Sequence, residues 1–187
     1  VFYCGTLALI AMPGGGKSTV GRQLARRLGW DHLDSDTVIE ERIGCSIRSY
    51  FEREGEASFR DIESEVLSQL VDRHRTVLAT GGGIVVREAN RQLLRSRAQV
   101  VYLRATPEEL FRRLRHDTQR PLLQVADPLA RLRQLYEERD PLYRETAHFV
   151  IETGRPASAH ALVNMILMQL ELAGLIETGH RKGPSGT

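Results

Sequence analysis

Leu7-Ala8-Leu9-Ile10-Ala11-Met12-Pro13-Gly14-Gly15-Gly16-Lys17-Ser18-Thr19 is the stretch on which the fold turns. An unbroken apolar run enters a glycine-rich loop, and the loop runs into Lys-Ser-Thr. Val20, Leu24 and Leu28 then recur every fourth position, as one face of a helix does. Strand, glycine loop, Lys-Ser and helix, in that order, make a phosphate-binding P-loop. The glycines let backbone N–H groups turn inward around a polyphosphate, and the helix adds its free N-terminal donors and positive dipole end. On this reading Gly14, Gly15, Gly16, Lys17, Ser18 and Thr19 bind nucleotide, with Lys17 on the β- and γ-phosphates and the Ser18 hydroxyl on Mg²⁺. The full pattern asks for glycine at position 11, where it normally supplies unusual backbone angles, and this chain has Ala11. The alternative is a plain glycine-rich turn after a buried strand. Against it stands the lysine: among 26 basic residues only Lys17 and Lys182 are lysine, and every other cation is arginine.

A length of 187 residues suits a single domain with a substantial core. The content is 41% hydrophobic and 27% charged, as in water-soluble globular proteins. A net charge of +2 is too balanced to point to nucleic acid. No apolar run is long enough to span a membrane. Val1-Phe2-Tyr3-Cys4 carry no basic n-region and lead straight into the P-loop strand, so a signal peptide is not expected and a cytoplasmic location is. Cys4 and Cys45 have no metal-type spacing and read as two reduced thiols. The six histidines are scattered, and none pairs at i, i+4 with another or with a cysteine. No metal beyond Mg²⁺ carried by nucleotide is expected.

Helical patterns are expected over about 17–28, from Val38 to Ile43, from Ser46 as a cap through Glu54, and from Ala57 through Leu70. Others follow over Glu88 to Arg97, over Thr106 to about Arg115, over Pro128 to Arg139, and from Ser158 as a cap to about Ala173. Thr106, Pro107 and Glu109 spell a capping box with proline at the first turn. Short strands are expected at Leu7 to Ile10, Thr76 to Ala79, Gln99 to Leu103 and Phe149 to Ile151. The alternation points to a parallel sheet covered by helices on both faces. Residues His116 to Asp127 look irregular, and the Gly- and Pro-containing tail is expected to be disordered.

Asp34 and Asp36 stand two apart just beyond a short strand, so in extended chain both carboxylates would face one crevice. One could hold water on Mg²⁺ and the other accept a hydrogen bond from a substrate hydroxyl. The alternative is a polar turn capping the next helix. Gly81-Gly82-Gly83 after a strand suggests backbone packed close against a ligand, or else a flexible turn. That strand carries no acid at its end, which leaves Asp34 to manage the metal. Arg60, Arg120 and Arg139 sit in three separate regions, and spacing alone gives them no role; Arg120, before Pro121, lies in the irregular segment.

Together these motifs resemble the shikimate kinase family over about Leu7 to Ala173. The resemblance rests on Gly14-Gly15-Gly16-Lys17-Ser18-Thr19, Asp34-Ser35-Asp36, Gly55-Glu56-Ala57-Ser58-Phe59-Arg60-Asp61-Ile62-Glu63, Gly81-Gly82-Gly83, Arg120-Pro121-Leu122-Leu123 and Arg139-Asp140-Pro141-Leu142-Tyr143. It implies an α/β fold of the nucleoside-monophosphate-kinase type: three α/β/α layers, a five-stranded parallel sheet, a helical substrate-binding region and a mobile lid. The core would cover about 5–174, the substrate region about 34–63, the lid about 116–127 and the tail 175–187. The implied reaction is ATP-dependent phosphorylation of the shikimate 3-hydroxyl, by a monomer, with Mg²⁺. Asp36 would contact the shikimate hydroxyls as candidate base. Arg60 and Arg139 would clamp the carboxylate, with Gly82 and Gly83 beside them and Glu63 behind. Asp34 and Ser18 would manage Mg²⁺, Arg120 would be the lid residue reaching phosphate, and Lys17 would complete the catalytic set. Arg113 and the segment Ile151 to Pro156, Arg155 included, would flank adenine. The departures from the family pattern are Ala11 and Glu152, where the family often has aspartate. A gluconate- or nucleotide-type kinase, a kinase-like binding module without catalysis and a GTP switch are the competing readings. The last lacks any Asn-Lys-x-Asp motif.

Overall fold

Apolar runs separated by capped helices become one parallel sheet in the computed structural model, which describes residues 3–115, 125–154 and 158–177. The chain runs β1 (Thr6–Ile10), α1 (Lys17–Leu28), β2 (Asp31–Asp34), α2 (Ser35–Ile43), α3 (Ile47–Glu54), α4 (Glu56–Leu70) and β3 (Thr76–Ala79). It continues through α5 (Glu88–Arg97), β4 (Ala98–Arg104), α6 (Pro107–Leu114), α7 (Pro128–Thr146), β5 (Phe149–Glu152) and α8 (Ala159–Leu172). The five strands are ordered β2-β3-β1-β4-β5, and every neighbouring pair is parallel.

β1 is buried along its whole length, and its side chains alternate between two cores as a pleated strand requires. Leu7 and Leu9 join Val20 and Leu24 of α1 and Val163 and Ile166 of α8 on one face. Ala8 and Ile10 join Val66 and Leu67 of α4, Leu94 of α5 and Leu132 of α7 on the other. These are the three layers the alternation of strands and helices predicts. The expected capping box forms: Thr106 accepts from the Glu109 N–H, and the Glu109 carboxylate accepts from the Thr106 N–H.

Two expectations need correction. The helix expected to stop at Arg139 runs on to Thr146 with Pro141 inside it. Proline removes one intrahelical donor and ordinarily ends a helix. Here contacts on both sides of it hold the line. Arg144 donates to Asp140 across the proline at 2.9 Å, the Thr146 hydroxyl donates to the Leu142 carbonyl at 2.7 Å, and Tyr143 is fully buried. Arg139 therefore projects from mid-helix, not from a helix end. Secondly, Asp36 is not in extended chain. Asp34 is the N-cap of α2, its carboxylate accepting from the Asp36 N–H at 2.9 Å, and Asp36 lies in the first helical turn. The capping alternative is thus realised, and the two acids still share a site because one turn of helix folds the second back beside the first.

The described chain also extends past the expected core. Leu175 accepts from the Tyr3 N–H at 2.9 Å, and Leu175 and Ile176 pack on the α1–α8 side. Most of the expected lid, residues 116–124, and the end of the tail, 178–187, lie outside the described residues.

Candidate active site

The carboxyl ends of β1, β2 and β3 open into one cavity of about 450 Å³. The P-loop residues Gly14 to Thr19 line it, together with Asp34, Asp36, Gly81, Gly82 and Arg113. Gly14 and Gly16 have φ of +84° and +82°, the left-handed conformation that glycine adopts without strain. Ala11 does not: among the described residues only Arg75 combines a side chain with positive φ. Ala11 is fully buried, its methyl faces Gly15, and its carbonyl accepts from the Lys17 ammonium at 3.0 Å. Position 11 thus makes no demand that only glycine meets. Ala11→Gly is expected to leave the KM for nucleotide unchanged and to lower stability by about 0.5–1 kcal/mol, because it frees the unfolded chain. Thermal unfolding and ATP titration check both halves.

Ser18 donates to Asp34 at 2.8 Å, joining the start of α1 to the end of β2. Arg113 of α6 donates to the Gly14 carbonyl at 3.1 Å and to the Thr153 carbonyl at 3.0 Å, strapping the glycine loop to the segment after β5. The β3 end is clasped from both sides: the Thr80 hydroxyl donates to the Leu9 carbonyl at 2.9 Å, and the buried Ser35 hydroxyl accepts from the Gly81 N–H at 3.2 Å.

The glycine triplet is the hub of the second half of the site. A Cβ on Gly81 would stand 2.8 Å from an Asp36 carboxylate oxygen and 3.2 Å from one of Glu63. A Cβ on Gly83 would stand 2.3 Å from the Arg60 guanidinium, so any side chain there would push Arg60 out of its place. At Gly81 and Gly83 the charged groups of α2 and α4 occupy the space a side chain would take, and at Gly82 Pro13 stands 3.3 Å from it. Arg60 and Glu63, both buried, pair at 2.8 Å. The Arg60 guanidinium also lies 5.2 Å from the Phe59 ring centroid. Arg139 of α7 is near enough for its charge to favour the ionised forms of Glu63 and Tyr143.

Burial, and next the charge of Asp34, push the Asp36 carboxyl up to about 6, with Lys17 pulling the other way. Burial likewise raises Glu63 against the pull of Arg60 and Arg139. Asp36 therefore remains ionised at neutral pH but is a far better proton acceptor than an exposed aspartate.

Lys17, Ser18, Asp34, Asp36, Gly82 and Arg113 line this cavity, and Glu63 and Arg60 lie against Gly81 and Gly83 of the loop at its edge, with Arg139 near enough for its charge to act on Glu63. Arg120 and Arg155 lie outside the described residues. Ser35, Thr80 and Tyr143 shape the site and had no role in the sequence reading. Tyr143 had a signal, being four positions after Arg139 on one helical face.

The family model for shikimate kinase matches residues 13–171. The chain belongs to the shikimate kinase family. A shikimate kinase of Paracidovorax citrulli is 62% identical over 172 residues, covering 91% of this chain and 94% of its own. One from Burkholderia pseudomallei is 58% identical over 167 residues, covering 89% and 90%. Among solved structures, the shikimate kinase from Acinetobacter baumannii in complex with shikimate superposes with a TM-score of 0.87 at 45% identity, over 93% of this chain and 96% of that one. Members of the shikimate kinase family are phosphotransferases with an alcohol acceptor. Among the described residues no helix is long and apolar enough to cross a membrane.

Proposed function

We propose that this chain transfers the γ-phosphoryl group of ATP to the 3-hydroxyl of shikimate. One observation carries the reading: Gly81 lies against Asp36, which faces the P-loop cavity, and against Glu63, which pairs with Arg60. A base beside the phosphate site and a cationic clamp one loop away fit an acceptor with a hydroxyl at one end and a carboxylate at the other. Two guanidinium forks, Arg60 and Arg139, suit a planar carboxylate and give a neutral sugar little to hold.

The residues present fit Mg²⁺. Ser18 and Asp34 offer hard oxygens 2.8 Å apart at the phosphate-facing end. No group of three acids, histidines or cysteines among the described residues builds a cage of its own. Mg²⁺ ordinarily keeps its waters and borrows phosphate oxygens, so two protein oxygens suffice. Ser18 and Asp34 would hold it, and when bound it supplies neutralisation of charge on the transferring phosphoryl group. Lys17 and the loop N–H groups position the polyphosphate, with Arg120 reaching it from the segment between α6 and α7. Asp36 orients the acceptor hydroxyl and takes its proton as the new O–P bond forms. The bond from phosphorus to the bridging oxygen breaks, and ADP leaves with that electron pair. Arg113, with Arg155, flanks adenine. The partners are two small molecules, handled by a monomer in the cytoplasm, with no nucleic acid.

The test is ADP release from ATP with Mg²⁺. Turnover is expected with shikimate and absent with gluconate. Equal turnover with gluconate, or none with shikimate in protein that still binds ATP, would overturn the reading. The binding-module alternative loses its one support, since Ala11 fits the loop without strain.

A further inference from the structure

Tyr143 is a buried phenol whose hydroxyl the reaction above does not use. Its ring is fully buried and stacks on Tyr102, with centroids 4.9 Å apart and planes tilted by 30°. The two hydroxyls part company at the ends of this stack. That of Tyr102 donates to Asp140 at 2.7 Å, and that of Tyr143 donates to the Gly82 carbonyl. The Arg139 guanidinium, one turn earlier on α7, is near enough for its charge to favour the ionised form of the Tyr143 phenol.

The chemistry of the three groups fixes the direction of the chain. A guanidinium only donates and a carbonyl only accepts. With its proton given to Gly82, the phenol oxygen can serve Arg139 only as an acceptor. The next residue on that loop has its own constraint, because Gly83 sits directly against Arg60. Tyr143 therefore links the helix that carries one guanidinium to the loop that backs the other. Asp140 fixes the far side of the same helix segment through Tyr102, Arg144 and Arg104, the last at 3.5 Å.

We propose that Tyr143 is a positioning residue for carboxylate recognition, its hydroxyl setting the separation of Arg139 and Arg60 by tying α7 to the Gly81–Gly83 loop. The inference rests on the carboxylate clamp proposed above. The carboxylate is remote from the reacting hydroxyl, so the contact it supports is made equally in ground and transition states. Its loss belongs in KM and not in kcat.

Tyr143→Phe keeps the ring stack and removes only the hydroxyl. Its KM for shikimate is expected to rise about tenfold, a fold-change typical of one charge-assisted hydrogen bond, with kcat and the KM for ATP within about twofold. Tyr102→Phe removes the hydroxyl that faces away from the site and is expected to leave the shikimate KM unchanged. On shikimate methyl ester, which lacks the anionic carboxylate, wild type and Tyr143→Phe should perform alike. An unchanged shikimate KM in Tyr143→Phe would overturn the inference. So would equal KM changes in both tyrosine variants, which would make the effect one of packing alone. If wild type used the ester as well as the acid, the clamp itself would be wrong and the role of Tyr143 would fall with it.

Discussion

Asp36→Asn is expected to lose turnover by a factor on the order of 10²–10⁴, the usual contribution of a positioned acid–base group, while making the protein more stable at neutral pH. The two effects have one cause. Burial and the Asp34 charge raise the Asp36 carboxyl to about 6, so its ionised form is better tolerated in the unfolded chain than in the folded one. A carboxylate with a raised folded pKa costs nothing below its unfolded value of 3.8 and its full penalty above about 6. Stability therefore falls as pH rises through that window. Asparagine removes the charge, and the gain at neutral pH is on the order of 1–2 kcal/mol once discounted for the water that reaches this half-buried group. Thermal melts at pH 3.5 and 7.5 check the sign: the variant should gain only at the higher pH. In wild type, kcat/KM should fall about tenfold per pH unit below about 6, as the acceptor becomes protonated. A variant that keeps its activity, or that melts lower at pH 7.5, would remove Asp36 from the reaction.

Arg60→Met is expected to be costly in both stability and binding, and the two losses separate. Glu63 is 1% exposed and pairs with Arg60 at 2.8 Å. Deleting one member of a buried ion pair leaves the other uncompensated, at a cost of about 3–5 kcal/mol. Without its partner the Glu63 carboxyl rises further above the unfolded value of 4.5, so the loss is greatest at neutral pH and fades as pH falls toward that value. The KM for shikimate should rise roughly ten- to a hundredfold for the lost charge-assisted contact. The double variant Arg60→Met/Glu63→Leu replaces the pair by apolar groups and should recover most of the stability. It should recover none of the shikimate affinity. Denaturant unfolding and a shikimate titration on the same three proteins read the two effects apart. Recovery of affinity in the double variant would show that Arg60 serves only the fold.

Much of this was legible in the residue order because each element carries its own local signal. The apolar runs at Leu7 and Thr76, the caps at Ser46, Thr106 and Ser158, and the glycine loop before Lys17 all act within a few positions of themselves. What sequence could not supply depends on contacts between distant segments. Pro141 reads locally as a helix stop, and only the Asp140–Arg144 pair, the buried Tyr143 and the core beneath α7 let the helix continue. Asp34 and Asp36 were read as strand neighbours, yet the cap at Asp34 starts the helix at Ser35, three residues before the Val38 at which hydrophobic periodicity begins. The arginines were the hardest case. Arg60 and Arg139 look like the others until Gly83 is seen against the first and Tyr143 beside the second.

The strand order has a consequence for how the protein is made. β1 lies at the centre of the sheet between β3 and β4, so Thr6 must wait for Thr76 on one edge and Ala98 on the other. During translation that apolar strand leaves the ribosome with both edges bare. At about 5–20 residues per second, the roughly hundred residues up to β4 take on the order of 5–20 s to appear. Through that interval β1 lacks the clasp that Thr80 places on Leu9, and the glycine loop lacks the strap from Arg113. Nucleotide therefore cannot template the nascent chain, and the earliest-made part of the catalytic machinery is among the last to take shape.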